Sequence, residues 1–116
     1  MKRMTAARAT SDVWRIRTEG DVDPARVRGY VGFVLLRDGA YLMAVAYGGP
    51  GKPVPYWTTE LDGGSGAKIW KSLDYARGAM VRYGGELRAV RIEKSGRLRL
   101  IDGWRETAVP EEDRET

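Results

Sequence analysis

Residues 30–47, YVGFVLLRDGAYLMAVAY, constrain the fold more than any other stretch: two apolar runs flank a single Asp38-Gly39. Asp-Gly between two β-rich runs marks a hairpin, because a type I′ turn needs positive φ at both central residues. With Asp38 and Gly39 as a two-residue loop, Leu36 faces Tyr41, Val34 faces Met43 and Gly32 faces Val45. The other side then carries Val31, Phe33, Leu35, Leu42, Ala44 and Ala46. A three-residue loop shifts the pairing by one position, so the register stays open. In either register both sides are apolar, whereas an antiparallel sheet with one wet face alternates apolar and polar residues. One helix can cover one side. The second side calls for another layer: more of this chain, a second copy of it, or a foreign partner. The side with Tyr30, Val34, Leu36, Tyr41, Met43, Val45 and Tyr47 is rich in Tyr and Met, types favoured at interfaces. Contiguous apolar strands are equally the mark of a buried core.

The 116 residues suffice for one domain with one core. Cysteine and histidine are both absent. That removes the usual zinc and iron–sulfur ligands, the thiol nucleophile, and the imidazole that serves most acid–base chemistry near neutral pH. No apolar run approaches the ~20 residues of a membrane span, and the basic start lacks the apolar segment of a secretory signal. These features lead to the expectation of a soluble, cytoplasmic protein with no cofactor and no metal. The formal charge is +4 and uneven: Lys2, Arg3 and Arg8 stand at the start, while five acids face only Arg114 after residue 105. A modest positive excess permits contact with nucleic acid or an acidic protein surface without demanding either.

Residues 1–11 read as a flexible basic arm. Val13 to Thr18 alternates, with Trp14 and Ile16 on one side and Arg15 and Arg17 on the other, and predicts a half-buried strand. Gly48 to Pro55, GGPGKPVP, reads as a surface loop, Tyr56 to Leu61 as another strand, and Asp62 to Lys68, DGGSGAK, as a second loop. Ser72 is a good N-cap, Asp74 suits the first turn, and Gly84 supplies a stop, which predicts a helix over 73–83. Its apolar stripe is Leu73, Ala76, Met80 and Tyr83.

Leu87 to Ile92 and Arg97 to Ile101 form a second hairpin around Lys94-Ser95-Gly96. This loop aligns Ile92 with Leu98 and Val90 with Leu100 on a side expected to pack on the helix. Arg91 with Arg99, Glu93 with Arg97, and Ala89 with Ile101 fall on the side expected to face water. Trp104 is expected to close one end of the core, and residues 106–116 read as a disordered acidic tail. The order of elements predicts a single α+β domain over residues 12–105, an antiparallel sheet of about five or six strands with one main helix on one face.

Trp70-Lys71-Ser72-Leu73 to Ala76, Val81, and Gly84-Gly85-Glu86-Leu87 to Val90 compose a helix entered from an aromatic and left through glycine into a strand. Together with the preceding tight-turned strands, this resembles small ββαβ-type proteins of phages and mobile elements. The resemblance covers about residues 28–102 and rests on structural rather than catalytic residues. Some proteins of that kind, including certain anti-CRISPR and other anti-defence proteins, bind and block a host machine. The resemblance implies a binding protein.

Candidate chemistry is sparse. GGPGKP ends in Lys52-Pro53, where a phosphate loop needs Lys followed by Ser or Thr, and DGGSGAK lacks the spacing. Ser65 with Lys68, and Ser72 with Lys71, lie in loop and cap settings, while a nucleophile pair needs a buried lysine of lowered pKa. Glu60 and Asp62 are explained by solvation or turn formation. The chain reads as a non-enzymatic protein that meets a protein target by steric contact. Its expected anchors are Tyr30, Tyr41, Met43 and Tyr47, with Arg91 and Arg99 as secondary contacts and a homodimer through the apolar hairpin side as one form of pairing. The alternative is a nucleic-acid-binding regulator using Arg88, Arg91, Lys94, Arg97 and Arg99, with Arg15 and Arg17 extending the stripe should the first strand lie beside them.

Overall fold

A computed structural model of the chain describes residues 14–47, 51, 53–61 and 66–110. The elements are β1 (Trp14–Glu19), a 3-10 turn (Pro24–Arg26), β2 (Tyr30–Arg37), β3 (Ala40–Ala46), β4 (Val54–Thr58), α1 (Leu73–Tyr83), β5 (Glu86–Ile92) and β6 (Leu98–Pro110). The strands form one six-stranded sheet in the order β1-β6-β5-β2-β3-β4, antiparallel throughout. Helix α1 packs across β2, β5 and β6 on one side of it. The α+β class read from the sequence holds. Residues 1–11 and 111–116 lie outside the described residues.

The helix forms where its signals stand. Ser72 Oγ accepts a hydrogen bond from the Tyr75 N–H, and the Gly84 N–H closes the last turn on Met80 O. Ala76 and Met80 are buried, with Leu73 and Tyr83 packed beside them. On the sheet, this helix side carries Phe33, Leu35, Leu42, Leu87, Ala89 and Trp104, with Trp104 against Phe33 at 5.4 Å between ring centroids.

The two hairpins begin as their turns dictate and then depart. Asp38 and Gly39 take φ of 52° and 84°, and Leu36 pairs with Tyr41 across them. The expected pairing of Val34 with Met43 and Gly32 with Val45 does not form. β2 and β3 pair only at Leu36–Tyr41 and Arg37–Ala40, then separate. The chain before α1 fills the gap: the Lys68 N–H bonds to Leu42 O, and Phe33 and Trp70 exchange both backbone hydrogen bonds. Residues 66–68, the end of the stretch read as a loop, and the following Ile69 and Trp70 therefore act as a wedge within the sheet. β3 pairs instead with β4 and bulges at Met43, between Leu42 and Ala44. The bulge reverses the side chains that follow, so Val45 joins the core while Ala44 and Ala46 turn to water. β4 begins at Val54, inside the stretch read as loop; its Pro55 is tolerated because β4 is an edge strand.

The second hairpin keeps its expected register at Val90–Leu100, Arg91–Arg99 and Ile92–Leu98, with Gly96 at φ 90°. The register then shifts between Arg88 and Val90, so Ala89 does not pair with Ile101. Its two sides are also reversed from expectation. Ala89 pairs with Phe33 under the helix, which puts Arg91 and Arg99 on the helix side and Val90, Ile92, Leu98 and Leu100 on the far side. Finally, β6 runs on to Pro110 beside β1, so residues 106–110 are strand rather than disordered tail. Glu106 is the reason: it is buried, and its carboxylate is held from the helix.

Candidate functional site

The residues singled out from the sequence are distributed over both sides of the sheet. Tyr30 starts β2 opposite Ile92 on the far side and is 75% exposed. Tyr41, opposite Leu36 and Thr58, shares that side and is half-buried. Met43 is the bulged residue and is also half-buried. Tyr47 follows β3 and is 70% exposed. Arg91 and Arg99 stand opposite one another on the helix side, so they cannot orient a partner seated on Tyr30 and Tyr41.

The basic group splits in the same way. Lys94 and Arg97 are exposed at the β5–β6 turn. Arg88 lies on the far side opposite Val34, largely buried, with Glu86 and Asp102 each 3.8 Å away and its Nε without a hydrogen-bond partner. Arg15 and Arg17 lie on β1 opposite Val109 and Thr107, along the far half of β6 from Arg99 and on the other side of the sheet. They do not extend the Arg91–Arg99 pair into a stripe.

The outer ribbon β3–β4 offers a surface that the sequence did not mark. Ala44 pairs with Tyr56 and Ala46 with Val54, and all four are exposed on the far side. Tyr56 is 50% and Val54 52% exposed, and none of the four carries charge. The opposite side of the ribbon is committed to the core through Val45 and Trp57. Met43-Ala44-Val45-Ala46 carries no local mark of the bulge, whose place is set by the partner strand β4.

Beneath α1 lies a groove of about 560 Å³ between the helix and the 3-10 turn, floored by Val31, Phe33, Leu73 and Trp104. Glu106 forms its polar wall. Arg77 donates from Nε and Nη2 to the two carboxylate oxygens at 2.7 Å each, and the Thr18 hydroxyl adds a bond of 3.0 Å. Hydrogen bonding to Glu106 outweighs desolvation and holds the Arg77 guanidinium above its ordinary range. This pair ties helix to sheet. With three hydrogen bonds accepted by its two oxygens, Glu106 has little acceptor capacity left for a further partner. Among the described residues, no group of three or more His, Cys, Asp or Glu side chains could hold a metal ion, and no helix is long and apolar enough to cross a membrane.

Comparison of the chain with protein-family models, with curated proteins and with solved structures finds no match.

Proposed function

We propose that the chain is a non-enzymatic binding protein that docks a protein target through the far side of its outer ribbon, with Tyr30 on the same side. The observation that carries this reading is the uncharged set Ala44, Ala46, Val54 and Tyr56, exposed on a ribbon whose other side is anchored in the core. Exposed apolar surface grouped in this way marks interaction sites, and aromatic anchors carry much of an interface's energy. The resemblance to small phage and mobile-element proteins supports a blocker of a host machine, working in the host cytoplasm by steric occlusion.

The test is capture from a bacterial host lysate with the chain immobilised, the retained protein being identified by mass spectrometry. Val54→Asp and Tyr56→Asp should abolish retention of that protein, while Arg91→Glu should leave it in place. Retention indifferent to the ribbon variants would refute this reading. Light scattering tells the foreign target from a second copy: a dimer lost in Tyr56→Asp would assign the ribbon to self-pairing.

One observation favours a second reading. Arg91 and Arg99 are directly opposed, an arrangement that costs free energy unless an anion lies near. Glu93 takes Arg99 at 3.1 Å, and Arg91 has no ion-pair partner among the described residues. A nucleic-acid phosphate would serve. Retention on DNA that falls with salt and disappears in Arg91→Glu with Arg99→Glu supports this regulator reading; weak retention unchanged by both removes it.

A further inference from the structure

The two edges of the sheet are built differently. At one edge, β4 carries Pro55, which has no N–H to offer a further strand. At the other, β1 is regular: six consecutive pairs with β6, no bulge and no proline. In an antiparallel pair, alternate residues aim their N–H and C=O away from the partner strand. Among the described residues, β1 makes no backbone hydrogen bond beyond its ladder with β6. The outer edge of β1 is thus open, among the described residues, to another strand.

Charge selects what can fill it. Arg15 and Arg17 are exposed on the far side of β1, and neither has an ion-pair partner among the described residues. The nearest acid on their strand, Glu19, is engaged by Arg105, whose Nη2 lies 2.6 Å from it. That bond raises the Arg105 guanidinium above its ordinary range. A second copy pairing β1 against β1 would bring arginines against arginines, since both partners present the same two charges on one side. An extended segment with acids at alternate positions meets no such repulsion.

We propose that the outer edge of β1 takes an extended acidic segment of a partner protein as a seventh strand. Acids at positions i and i+2 lie across from Arg15 and Arg17. Apolar or β-branched residues between them continue the side that holds Ile16. The backbone ladder supplies affinity and the two arginines supply the choice of partner. This contact is separate from the ribbon and does not depend on it.

The experiment uses the full chain and a fluorescein-labelled eight-residue peptide of alternating Glu and Val, read by fluorescence anisotropy. The all-Lys counterpart, with Lys in place of each Glu, should not bind. Arg15→Glu with Arg17→Glu should weaken binding of the Glu peptide by at least about tenfold, as two cross-strand ion pairs become two repulsions. Backbone N-methylation separates a strand from a charge contact. Methylating the alternate N–H groups that face β1 should abolish binding, and methylating the other set should not. Tyr56→Asp should bind the peptide as well as the unaltered chain, which keeps this result apart from the fate of the ribbon. The proposal is overturned if the full chain does not bind the peptide. It is also overturned if both methylated peptides bind alike, or if a single-stranded oligonucleotide displaces the Glu peptide, since the arginines then serve as a general polyanion contact.

Discussion

The helix side and the far side of the sheet solve the same problem by different means. On the helix side an entire element covers the strands: Ala76 and Met80 of α1 meet Phe33, Leu35, Leu87 and Ala89, and the Arg77–Glu106 pair fixes the helix over β6. On the far side, no helix among the described residues covers the apolar row of Val34 and Val90. Both are nonetheless fully buried, and Leu36, Ile92, Leu98 and Leu100 on the same side are half-buried. On the outer ribbon of the same side, Ala44, Ala46, Val54 and Tyr56 stay exposed. The side packed under a helix keeps little apolar surface for a partner; the far side retains an exposed apolar rim.

The difference is sharpest under substitution. Arg77→Ala should give the largest loss, about 3–5 kcal/mol, because it strands a carboxylate in the core. Glu106 is only 2% exposed, whereas the Arg77 side chain is 30% exposed and has Asp74 at 3.9 Å. Glu106→Ala should therefore cost less than Arg77→Ala, since the freed guanidinium can reach solvent. Urea denaturation of the two variants measures the order, and equal losses would mean that the pair is not asymmetric in this way. Leu87→Ala, on the same side and fully buried, should follow at about 2–5 kcal/mol, through lost transfer energy and the cavity left beneath the helix.

The sequence marked the helix, the six strands' antiparallel pattern and the start of each hairpin, because caps and turns are local signals. Gly96 and the pairing of Ile92 with Leu98 were legible for the same reason. What stayed hidden was set by distant residues. Val31, Phe33 and Leu35 compete with Val34 and Leu36 for the helix, and nothing local says which side of β5 will follow. The first part of the wedge, up to Lys68, reads as a loop because its partner is distant in sequence: the Lys68 N–H donates to Leu42 O, and Trp70 exchanges hydrogen bonds with Phe33. Residues 106–110 looked like a tail because acids are usually solvated; the alternation of Thr107, Ala108 and Val109 was the strand signal, and Arg77, 29 residues away, is what lets Glu106 be buried. Of the candidate anchors, Tyr30 and Tyr47 are exposed where the sequence put no constraint on them, while the β3 bulge moved the exposed set to Ala44, Ala46 and their partners on β4.

The wedge gives the intermediate prediction. A Cβ on Gly32 would run into Cγ2 of Ile69 and stand 3.3 Å from Trp70 O. Isoleucine is stiff at χ1 and cannot simply turn aside. Gly32→Ala should cost about 1–3 kcal/mol by overpacking. Ile69→Ala makes room for the new methyl, so the double variant should lose less than the sum of the singles, with a coupling of about 0.5–3 kcal/mol. Additive losses would show that Ile69 is not what keeps residue 32 bare.

The smallest effect lies where the two sides meet. Arg37 ends β2 on the helix side, donates from Nη1 to Tyr83 O at 2.8 Å, and sets its guanidinium 5.3 Å from the Trp57 ring centroid. One side chain thus occupies a free carbonyl at the end of α1 and braces β4, the outer strand of the exposed ribbon. Because the side chain is 48% exposed, Arg37→Ala should cost only about 0.5–1 kcal/mol of cation–π stabilisation, with the lost cap adding to it. Arg37→Lys keeps the positive charge near the helix end but not the planar stack, so thermal unfolding should place it between the alanine variant and the unaltered chain. If lysine matches arginine, the charge at the helix terminus accounts for the whole effect and Trp57 needs no brace. If lysine matches alanine, the stack is what holds the ribbon against the core, and loosening it should also weaken any partner that depends on Tyr56 and Val54.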